Sequence, residues 1–229
     1  MTIRRLPETV VNRIAAGEVV ERPASAVKEL VENALDAGAT RVDVIVRDGG
    51  QTVIAVTDDG RGMTAAELAL AVERHATSKL PDDDLTRIDT FGFRGEALPS
   101  IGAVARLTLT SRAHNAAEAW TLTVEGGRQG AARPAALGQG TRVEVKDLFF
   151  ATPARLKFLK TARTEFAHVE ETVSRLALAN PRVAFSLSNG EKEIFRLAPA
   201  TGDINAARLE RIAALIGREF ATNAVPIEA

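Results

Sequence analysis

The chain has 229 residues, of which 45% are apolar and 26% are charged. This is the composition of an ordinary globular protein with enough material for a sizeable core. The absence of cysteine excludes a disulfide scaffold, a thiol nucleophile and a thiolate metal site. No apolar run approaches the roughly 18 residues of a membrane span and no signal peptide is visible, so we expect a cytoplasmic protein without membrane contact. With a net charge of −1, any binding of nucleic acid must come from a local patch.

The first third of the chain predicts helices around a β-hairpin. Its predicted elements are, in chain order, a helix over 8–21, a helix from 24 to about 37, strands over 41–46 and 52–57, and a helix from 65 to about 75. Pro23 suits the first turn of the second helix, and Gly38 suits its left-handed exit. Thr64 and Glu67 form a capping box that opens the third helix.

The remainder begins with residues 76–95, which show little periodicity, as is typical of a functional or disordered loop. The predicted elements that follow are a helix over 96–103, strands over 105–112, 118–125 and 141–148, helices over 153–160 and 163–179, a hairpin over 183–188 and 191–197, a helix over 205–217, and the start of a strand over 224–227. Strands that run mostly in hairpins, bracketed by helices, predict an α+β fold with a mixed, mostly antiparallel sheet.

The domain organisation follows from a linker-like stretch at 199–203. We predict one domain over residues 1–200. Residues 201–229 are then interpreted as a linker and the beginning of a second domain, of which the chain would contain only a fragment.

A carboxylate and a carboxamide share one side of the second predicted helix. Glu29 and Asn33 are four residues apart, so their side chains project side by side. The carboxylate can orient and deprotonate a water molecule, and the amide oxygen can ligate a hard cation such as Mg²⁺. The alternative is a solvated polar helix face.

Two glycine-containing segments add candidate ligand contacts. In the segment 58–62, Asp58 ends a predicted strand and can accept a hydrogen bond from an exocyclic amine, while the glycines allow close approach of the backbone. The alternative is a strand-to-helix turn. In the segment 92–96, two glycines before a helix start offer free N–H groups for phosphates. The alternative there is a flexible surface loop.

In this order, together with Gly140 and Thr141 on a late strand, the motifs resemble those of the GHKL ATPases, a superfamily that includes the DNA gyrase B subunit, sensor histidine kinases and MutL mismatch-repair proteins. The finer resemblance is to the MutL family and extends over essentially the whole chain. The segments that carry it are residues 14–20, 21–23, 28–33, 35–39, 74–79, 92–98 and 151–155.

The resemblance implies the two-layer α/β sandwich of the Bergerat (GHKL) fold and a Mg²⁺-dependent ATPase. It implies that Glu29 is the general base for the attacking water and that Asn33 ligates Mg²⁺. It implies that Asp58 reads the adenine amino group, helped by Thr141 and a bound water.

The resemblance also implies a lid over about 74–99 that closes over the phosphates, with Lys79 neutralising the charge that develops during transfer. It implies that Gly60 and Gly62 let the backbone pack against the nucleotide. The remaining implied lid contacts are Thr77, Ser78, Gly92, Phe93, Arg94 and Gly95.

Two residues depart from the family pattern, and one lysine of the family's phosphate site is expected outside this chain. Pro99 stands where a small residue is usual and could shorten or kink the lid helix. Asp59 stands where asparagine is also common, and its charge beside Asp58 could raise the pKa of one of the two carboxyls, although we expect little effect in a solvated loop. The family places a phosphate-site lysine in a following domain, so we expect weak or undetectable hydrolysis by this chain.

The implied partners are DNA, mismatch-recognition and downstream repair proteins, and a second copy of the chain, joined when ATP orders the lid and the segment 1–20. The expected location is the cytoplasm, at the nucleoid during repair. Local support for DNA binding is the basic segment 155–160 with Arg163. The alternative is a solvated face whose apolar residues, Leu156, Phe158 and Leu159, lie in the core.

Three other functions are alternatives to the ATPase. The chain could be a nucleotide-gated binding module without turnover. A histidine kinase would need a phosphoacceptor helix, which the sequence lacks. A structural fragment without ligand would require every glycine motif to be an accidental turn.

Overall fold

The computed structural model describes residues 4–74, 76 and 95–224. In this part of the chain a nine-stranded sheet carries helices on one face, with the strand order β5-β4-β3-β7-β2-β1-β8-β9 and β6 paired with β4. The strands are β1 Arg41–Arg47, β2 Val53–Asp58, β3 Arg106–Arg112, β4 Ala119–Glu125, β5 Arg128–Gln129, β6 Arg133–Ala135, β7 Gly140–Lys146, β8 Ala184–Asn189 and β9 Lys192–Leu197. β1 and β8 are parallel, and the other described pairs are antiparallel.

The helices are α1 Glu8–Val19, α2 Pro23–Asp36, α3 Ala65–Ala71, α4 Ala97–Val104, α5 Ala162–Ala179, α6 Ile204–Leu215 and α7 Arg218–Thr222, with a 3₁₀ segment at Pro153–Phe158. α2 packs on β2, α5 on β8, and α4 on β3 and β4. The predicted α+β sandwich with a mixed, mostly antiparallel sheet is confirmed.

The core lies between this helical layer and one face of the sheet, where buried side chains form rows across the strands. One row joins Val46, Ile54, Val145, Leu107 and Val124 through successive register pairs. A second joins Val44, Val56, Val143, Leu109 and Leu122. All ten are buried. The opposite face of the sheet is rich in threonine and charged residues. Two such faces result when apolar and polar residues alternate along each strand.

α2 forms where the sequence predicts it. Pro23 is its first residue, where the missing N–H costs nothing, and Gly38 takes the left-handed conformation (φ 75°) just past its end. Val27, Leu30 and Val31 are buried on the side that faces the sheet. The predicted capping box of Thr64 and Glu67 is also present at the start of α3.

Pro99 does not kink its helix. It is the third residue of α4, in the first turn, where N–H groups have no intrahelical acceptor. Backbone bonding continues past it, since the N–H of Ser100 donates to the carbonyl of Glu96 at 3.0 Å. Position within the first turn, rather than residue type, therefore decides the effect of this proline.

The structure also contains elements that the sequence pattern did not predict. β5 and β6 have two and three residues, too short to show periodicity. α7 follows Gly217, and the strand predicted over 224–227 lies outside the described residues except for Ala224, which is not in a strand. α6 packs on α5 and β9, while the boundary proposed at residue 200 stays a prediction.

Candidate functional site

On the buried face of the sheet, one row of residues across three neighbouring strands is polar. Asp58 on β2 pairs in register with Thr141 on β7, which pairs with Ser111 on β3. All three are buried, Ser111 completely. Opposite residues of an antiparallel pair project to the same face, so a carboxylate and two hydroxyls continue the two apolar rows. These three buried polar groups are therefore candidates for hydrogen bonding to the polar edge of a bound ligand.

Burial controls the chemistry of Asp58. Desolvation raises the pKa of its carboxyl to about 6, against the lowering effect of backbone N–H groups of Gly60 and Thr141 and with a small raising effect of the neighbouring Asp59. The N–H of Gly60 donates to Oδ1 at 2.9 Å. Burial is thus the largest cause of the raised pKa and the charge of Asp59 the smallest, and the expectation of a solvated loop is wrong at Asp58, which is buried.

Asp59 has a different task from its neighbour. Its Oδ1 accepts the backbone N–H groups of Thr40 at 2.7 Å and Arg41 at 2.8 Å, and its Oδ2 accepts the Thr40 hydroxyl at 2.5 Å. Burial raises the pKa of Asp59, but these hydrogen bonds outweigh it and leave the pKa below its ordinary value. Asp59 thereby ties the start of β1 to the end of β2 beside the polar row.

The predicted pair on α2 leads toward the same region. Glu29 and Asn33 are half-buried, and the Glu29 side chain is 32% exposed. Ala37, four residues beyond Asn33, continues their row, since positions i and i+4 share a helix side. A Cβ added to Gly60 would lie 2.9 Å from the Ala37 Cβ. The row that contains Glu29 and Asn33 therefore runs toward the loop that follows Asp58.

Close packing within the protein explains several glycines at this loop. A Cβ on Gly62, at φ 66°, would lie 2.0 Å from the carbonyl oxygen of Arg112. A Cβ on Gly140, at φ 113°, would lie 2.0 Å from the carbonyl oxygen of Asp58. Both sites require glycine for protein packing alone, so direct contact of Gly60 and Gly62 with a nucleotide stays a prediction.

The donor set suits magnesium held together with phosphates. Among the described residues, no group of three or more His, Cys, Asp or Glu side chains could hold a metal ion. On α2, Asn33 offers a cation one amide oxygen, with Glu29 one turn away on the same side of the helix. Mg²⁺ keeps several waters and is commonly bound by one or two side chains plus substrate phosphates. The residues present fit this ion in that manner.

Several predicted lid contacts cannot be placed. Thr77, Ser78, Lys79, Gly92, Phe93 and Arg94 lie outside the described residues. Gly95 is described at φ 62°, and a Cβ there would lie 2.3 Å from the carbonyl oxygen of Ala76. Arg74 and Glu96 form an ion pair at 3.4 Å. The residues that flank 77–94 are thus in contact with each other.

One residue of the basic segment predicted to bind DNA instead forms hydrogen bonds within the protein. The guanidinium of Arg155 donates to the carbonyls of Gly17 and Val20 at 2.9 Å each, so it binds the end of α1. Lys157, Lys160 and Arg163 are exposed and remain candidates. The alternative that placed the apolar residues in the core is wrong for two of them, since Phe158 is 81% exposed and Leu156 39%, while Leu159 packs partly against the core.

Sequence reasoning missed Ser111 of the polar row and its register neighbour Trp120. Ser111 occupies an inward position of a strand whose other inward residues, Leu107 and Leu109, are apolar, and this break in the alternation was the available signal. Trp120, the sole tryptophan, pairs in register with Ser111 and is half-buried. No periodicity could have placed it there, since its neighbour in space comes from another strand.

A separate groove of about 210 Å³ lies between α2 and α5. It is lined by Arg22, Ala24, Ser25, Lys28, His168, Glu171, Thr172 and Arg175. None of the predicted site residues is among these, so the groove is a different feature from the polar row. Within the described ranges, every helix is too short or too polar to cross a bilayer.

Comparison with known proteins agrees with this geometry. Residues 21–145 match the family described as histidine kinase-, DNA gyrase B-, and HSP90-like ATPase. The fold and the site thus define an ATPase domain of this class.

More specific relatives are the DNA mismatch repair proteins MutL of Rhodospirillum rubrum, 66% identical over the whole chain, and of Paramagnetospirillum magneticum, 65% identical over the whole chain. The chain spans 36% and 38% of their lengths. The Aquifex aeolicus MutL ATPase domain complexed with ADP superposes with a TM-score of 0.71 at 35% identity, covering 86% of this chain and 70% of that one. The chain belongs to the MutL family and corresponds to its ATPase domain.

Proposed function

We propose that this chain binds ATP with Mg²⁺ and hydrolyses it slowly, with the nucleobase at the polar row and the triphosphate along α2. The observation that carries the proposal is the buried Asp58 carboxylate, which lies in the polar row on β2, the strand against which the helix that bears Glu29 and Asn33 packs. The ADP present in the related Aquifex aeolicus structure supports the same ligand class.

In the proposed mechanism Asp58 accepts a hydrogen bond from the adenine amino group, and Thr141 assists directly or through one water. Glu29 orients a water molecule and removes its proton as it attacks the terminal phosphorus. The amide oxygen of Asn33 would hold Mg²⁺, and the ion would supply positive charge that offsets the charge of the phosphates. Positioning and electrostatics carry the rate, so no covalent intermediate with the protein is required.

The lid assignments complete this proposal. Lys79 would stabilise charge on the transferred group, and Thr77, Ser78, Gly92, Phe93, Arg94 and Gly95 would surround the phosphates. Ala76 and Gly95 contact each other, which supports a loop that begins and ends at one place. We expect slow hydrolysis because the resemblance assigns one phosphate-site lysine to a domain that follows this one.

For the whole protein we propose a role in DNA mismatch repair at the nucleoid in the cytoplasm. Its nucleotide state would gate homodimerisation and interaction with DNA and with other repair proteins. Support comes from the mismatch repair relatives and from exposed apolar residues on α1, Val11 and Ile14, in the region expected to order on ATP binding.

The base assignment is tested with Glu29→Gln. In a full-length background, where turnover is measurable, we expect phosphate release to fall at least 100-fold, in line with loss of a general base, while a non-hydrolysable ATP analogue still binds within about threefold. Trp120, beside the polar row, reports binding through its emission. The control Glu32→Gln changes a second carboxylate on the same helix, which lies closer to Lys28 (2.8 Å) than Glu29 does (3.8 Å), and should retain turnover. Undiminished hydrolysis by the Glu29 variant would refute the assignment.

The second candidate is a nucleotide-gated binding module without turnover. Phosphate release by this chain, compared with that by a full-length relative, separates the two functions. Binding without release in the chain and release in the longer protein would favour the module for this part alone.

A further inference from the structure

The helix α1 has few means of its own to stay helical. It has 12 residues, no more than the roughly 12–15 below which an isolated helix is marginal in water, and Gly17 in its interior lowers its helix propensity. Its N-cap residue is Pro7, which has no side-chain acceptor for the first N–H groups. Its last turn holds the acidic Glu18 and no basic residue, which is unfavourable for the helix dipole. The formation of α1 therefore depends on contacts with the rest of the protein.

Arg155 supplies what the end of α1 lacks. Its Nη2 donates to the carbonyl of Gly17 and its Nη1 to the carbonyl of Val20, at 2.9 Å each. These carbonyls lie in the last turn and at the C-cap, where intrahelical N–H partners run out. The guanidinium thus brings two donors and a positive charge to the negative end of the helix dipole.

Gly17 provides the space in which this guanidinium lies. A Cβ at position 17 would lie 2.3 Å from Nη2, 2.5 Å from Cζ and 2.8 Å from Nη1 of Arg155. The guanidinium therefore occupies the volume that an alanine methyl group would fill. The residue that weakens α1 as a free helix is thus the one that admits Arg155.

The segment that carries Arg155 is attached to the end of α4, against which α1 also packs. The backbone N–H of Ala151 donates to the carbonyl of Val104, the last residue of α4, at 3.4 Å. The guanidinium carbon of Arg155 lies 5.6 Å from the centre of the Phe149 ring, which is completely buried and held at φ 72°. A bulky residue in the left-handed region is uncommon and points to a functional constraint. Contacts therefore run without a break from α4 through residues 149–155 to α1.

We propose that Arg155 is a positioning residue that makes the folding of α1 conditional on its attachment to the end of α4. Because α4 begins within the last residues of the predicted lid, 74–99, nucleotide bound under the lid would stabilise α1 through α4 and Arg155. This second part rests on the proposed function. Arg155 acts on backbone carbonyls of α1 and not on the nucleotide.

Hydrogen–deuterium exchange of the 229-residue chain without nucleotide tests the first part. Arg155→Ala should speed exchange in α1 at least about tenfold, because two hydrogen bonds from a charged donor are lost, and should leave β2 and β7 unchanged. The control Arg175→Ala, which removes an exposed arginine paired within α5, should leave α1 unchanged. Faster exchange spread equally over α1 and the two strands would indicate a merely structural role and would overturn the proposal.

A milder variant keeps this test decisive if Arg155→Ala does not fold. Arg155→Lys keeps the charge but lacks the planar fork that reaches two carbonyls at once. It should speed exchange in α1 by a smaller factor than the alanine variant. An α1 whose exchange is unchanged in Arg155→Lys and Arg155→Ala alike would overturn the proposal.

Gly17→Ala separates the role of Arg155 from helix propensity, because the two predict effects of opposite sign. Propensity alone would slow exchange in α1, since alanine is the better helix former. We expect exchange at least about twofold faster, because the added methyl group displaces the guanidinium, the free end of a flexible side chain, and its hydrogen bonds outweigh propensity. In the Arg155→Ala background the same substitution should slow exchange. Slower exchange from Gly17→Ala in the parent would overturn the proposal.

A non-hydrolysable ATP analogue with Mg²⁺ tests the second part. In the parent it should slow exchange in α1 by at least about threefold. In Arg155→Ala it should leave α1 unchanged, while its affinity, measured by calorimetry, stays within about threefold of the parent's. An analogue that binds the parent without slowing exchange in α1 would overturn the link to nucleotide. A parent that does not bind the analogue refutes the proposed function instead, and the measurements without nucleotide still decide whether Arg155 holds α1.

Discussion

Two buried polar clusters in this domain satisfy their hydrogen bonds in different ways. At the junction of α6 with α5, β8 and β9, the guanidinium of Arg211 is buried and donates to four backbone carbonyls, those of Ala177, Asn180, Val183 and Ala198. In the polar row, Asp58 is buried but accepts from two backbone N–H groups, those of Gly60 and Thr141.

The two clusters differ in how many hydrogen-bonding positions remain unused. Arg211 uses most of its five N–H donors within the protein, so its role is to hold α6 in place. An ionised carboxylate has about four lone-pair positions, and Asp58 uses about half of them. A buried polar group with spare capacity suits a ligand, whereas one satisfied by its own chain stabilises the fold.

The largest expected effect is a loss of stability when Arg211 is replaced, without a loss of ligand affinity. Arg211→Met removes every donor at the α6 junction and leaves four carbonyls without it, so we expect the free energy of unfolding to fall by about 3 kcal/mol. ATP analogue affinity should stay within twofold. Chemical denaturation and calorimetric titration measure both, with Arg208→Met, an exposed arginine on the same helix, as the control. A tenfold loss of affinity in folded protein would contradict a purely structural role.

The next effect concerns Asp58 and pH. Because the ionised carboxylate accepts from the adenine amino group more strongly than the protonated carboxyl does, parent affinity should decline as pH falls through about 6, by at most about tenfold per pH unit. Asp58→Asn should bind about 10- to 100-fold more weakly at pH 8. The affinity ratio of the two proteins over pH 5–8 cancels titration of the nucleotide itself. A ratio independent of pH would contradict the assignment.

The same variant should gain stability, because ligand recognition and folding oppose each other at this residue. The folded pKa lies above the ordinary value of 3.8, so the favourable contribution of protonated Asp58 is complete below pH 3.8 and is lost as pH rises through about 6. The shift to about 6 corresponds to about 3 kcal/mol as an upper limit. Asp58→Asn should therefore be more stable than the parent at pH 7 and equal to it near pH 3.

The smallest expected effect is a loss of stability in Asp59→Asn, opposite in sign to the gain expected for Asp58→Asn. Asp59→Asn weakens three hydrogen bonds to an ionised acceptor whose pKa lies below the ordinary value, so it should destabilise the protein at pH 7 by about 1 kcal/mol. The difference should vanish as pH falls and Asp59 is protonated. Denaturation of the two asparagine variants side by side tests the contrast. A gain of stability from Asp59→Asn would remove the distinction between the neighbouring carboxylates.

The sequence by itself determined the elements whose signals are local. Periodicity, Pro23, Gly38 and the capping box of Thr64 placed helices, because propensity and capping act within a few residues. Motif order indicated the family, and with it the mixed sheet and the α2 pair Glu29 and Asn33.

Only the tertiary structure decided which groups meet across strands. Ser111 joins Thr141 and Asp58 because register aligns three strands that are distant in sequence, and no local pattern encodes that alignment. Arg155 looks like one member of a basic surface run, yet its guanidinium binds the end of α1. The two adjacent aspartates differ for the same reason: burial and hydrogen-bond partners, supplied by remote parts of the chain, set the pKa of each.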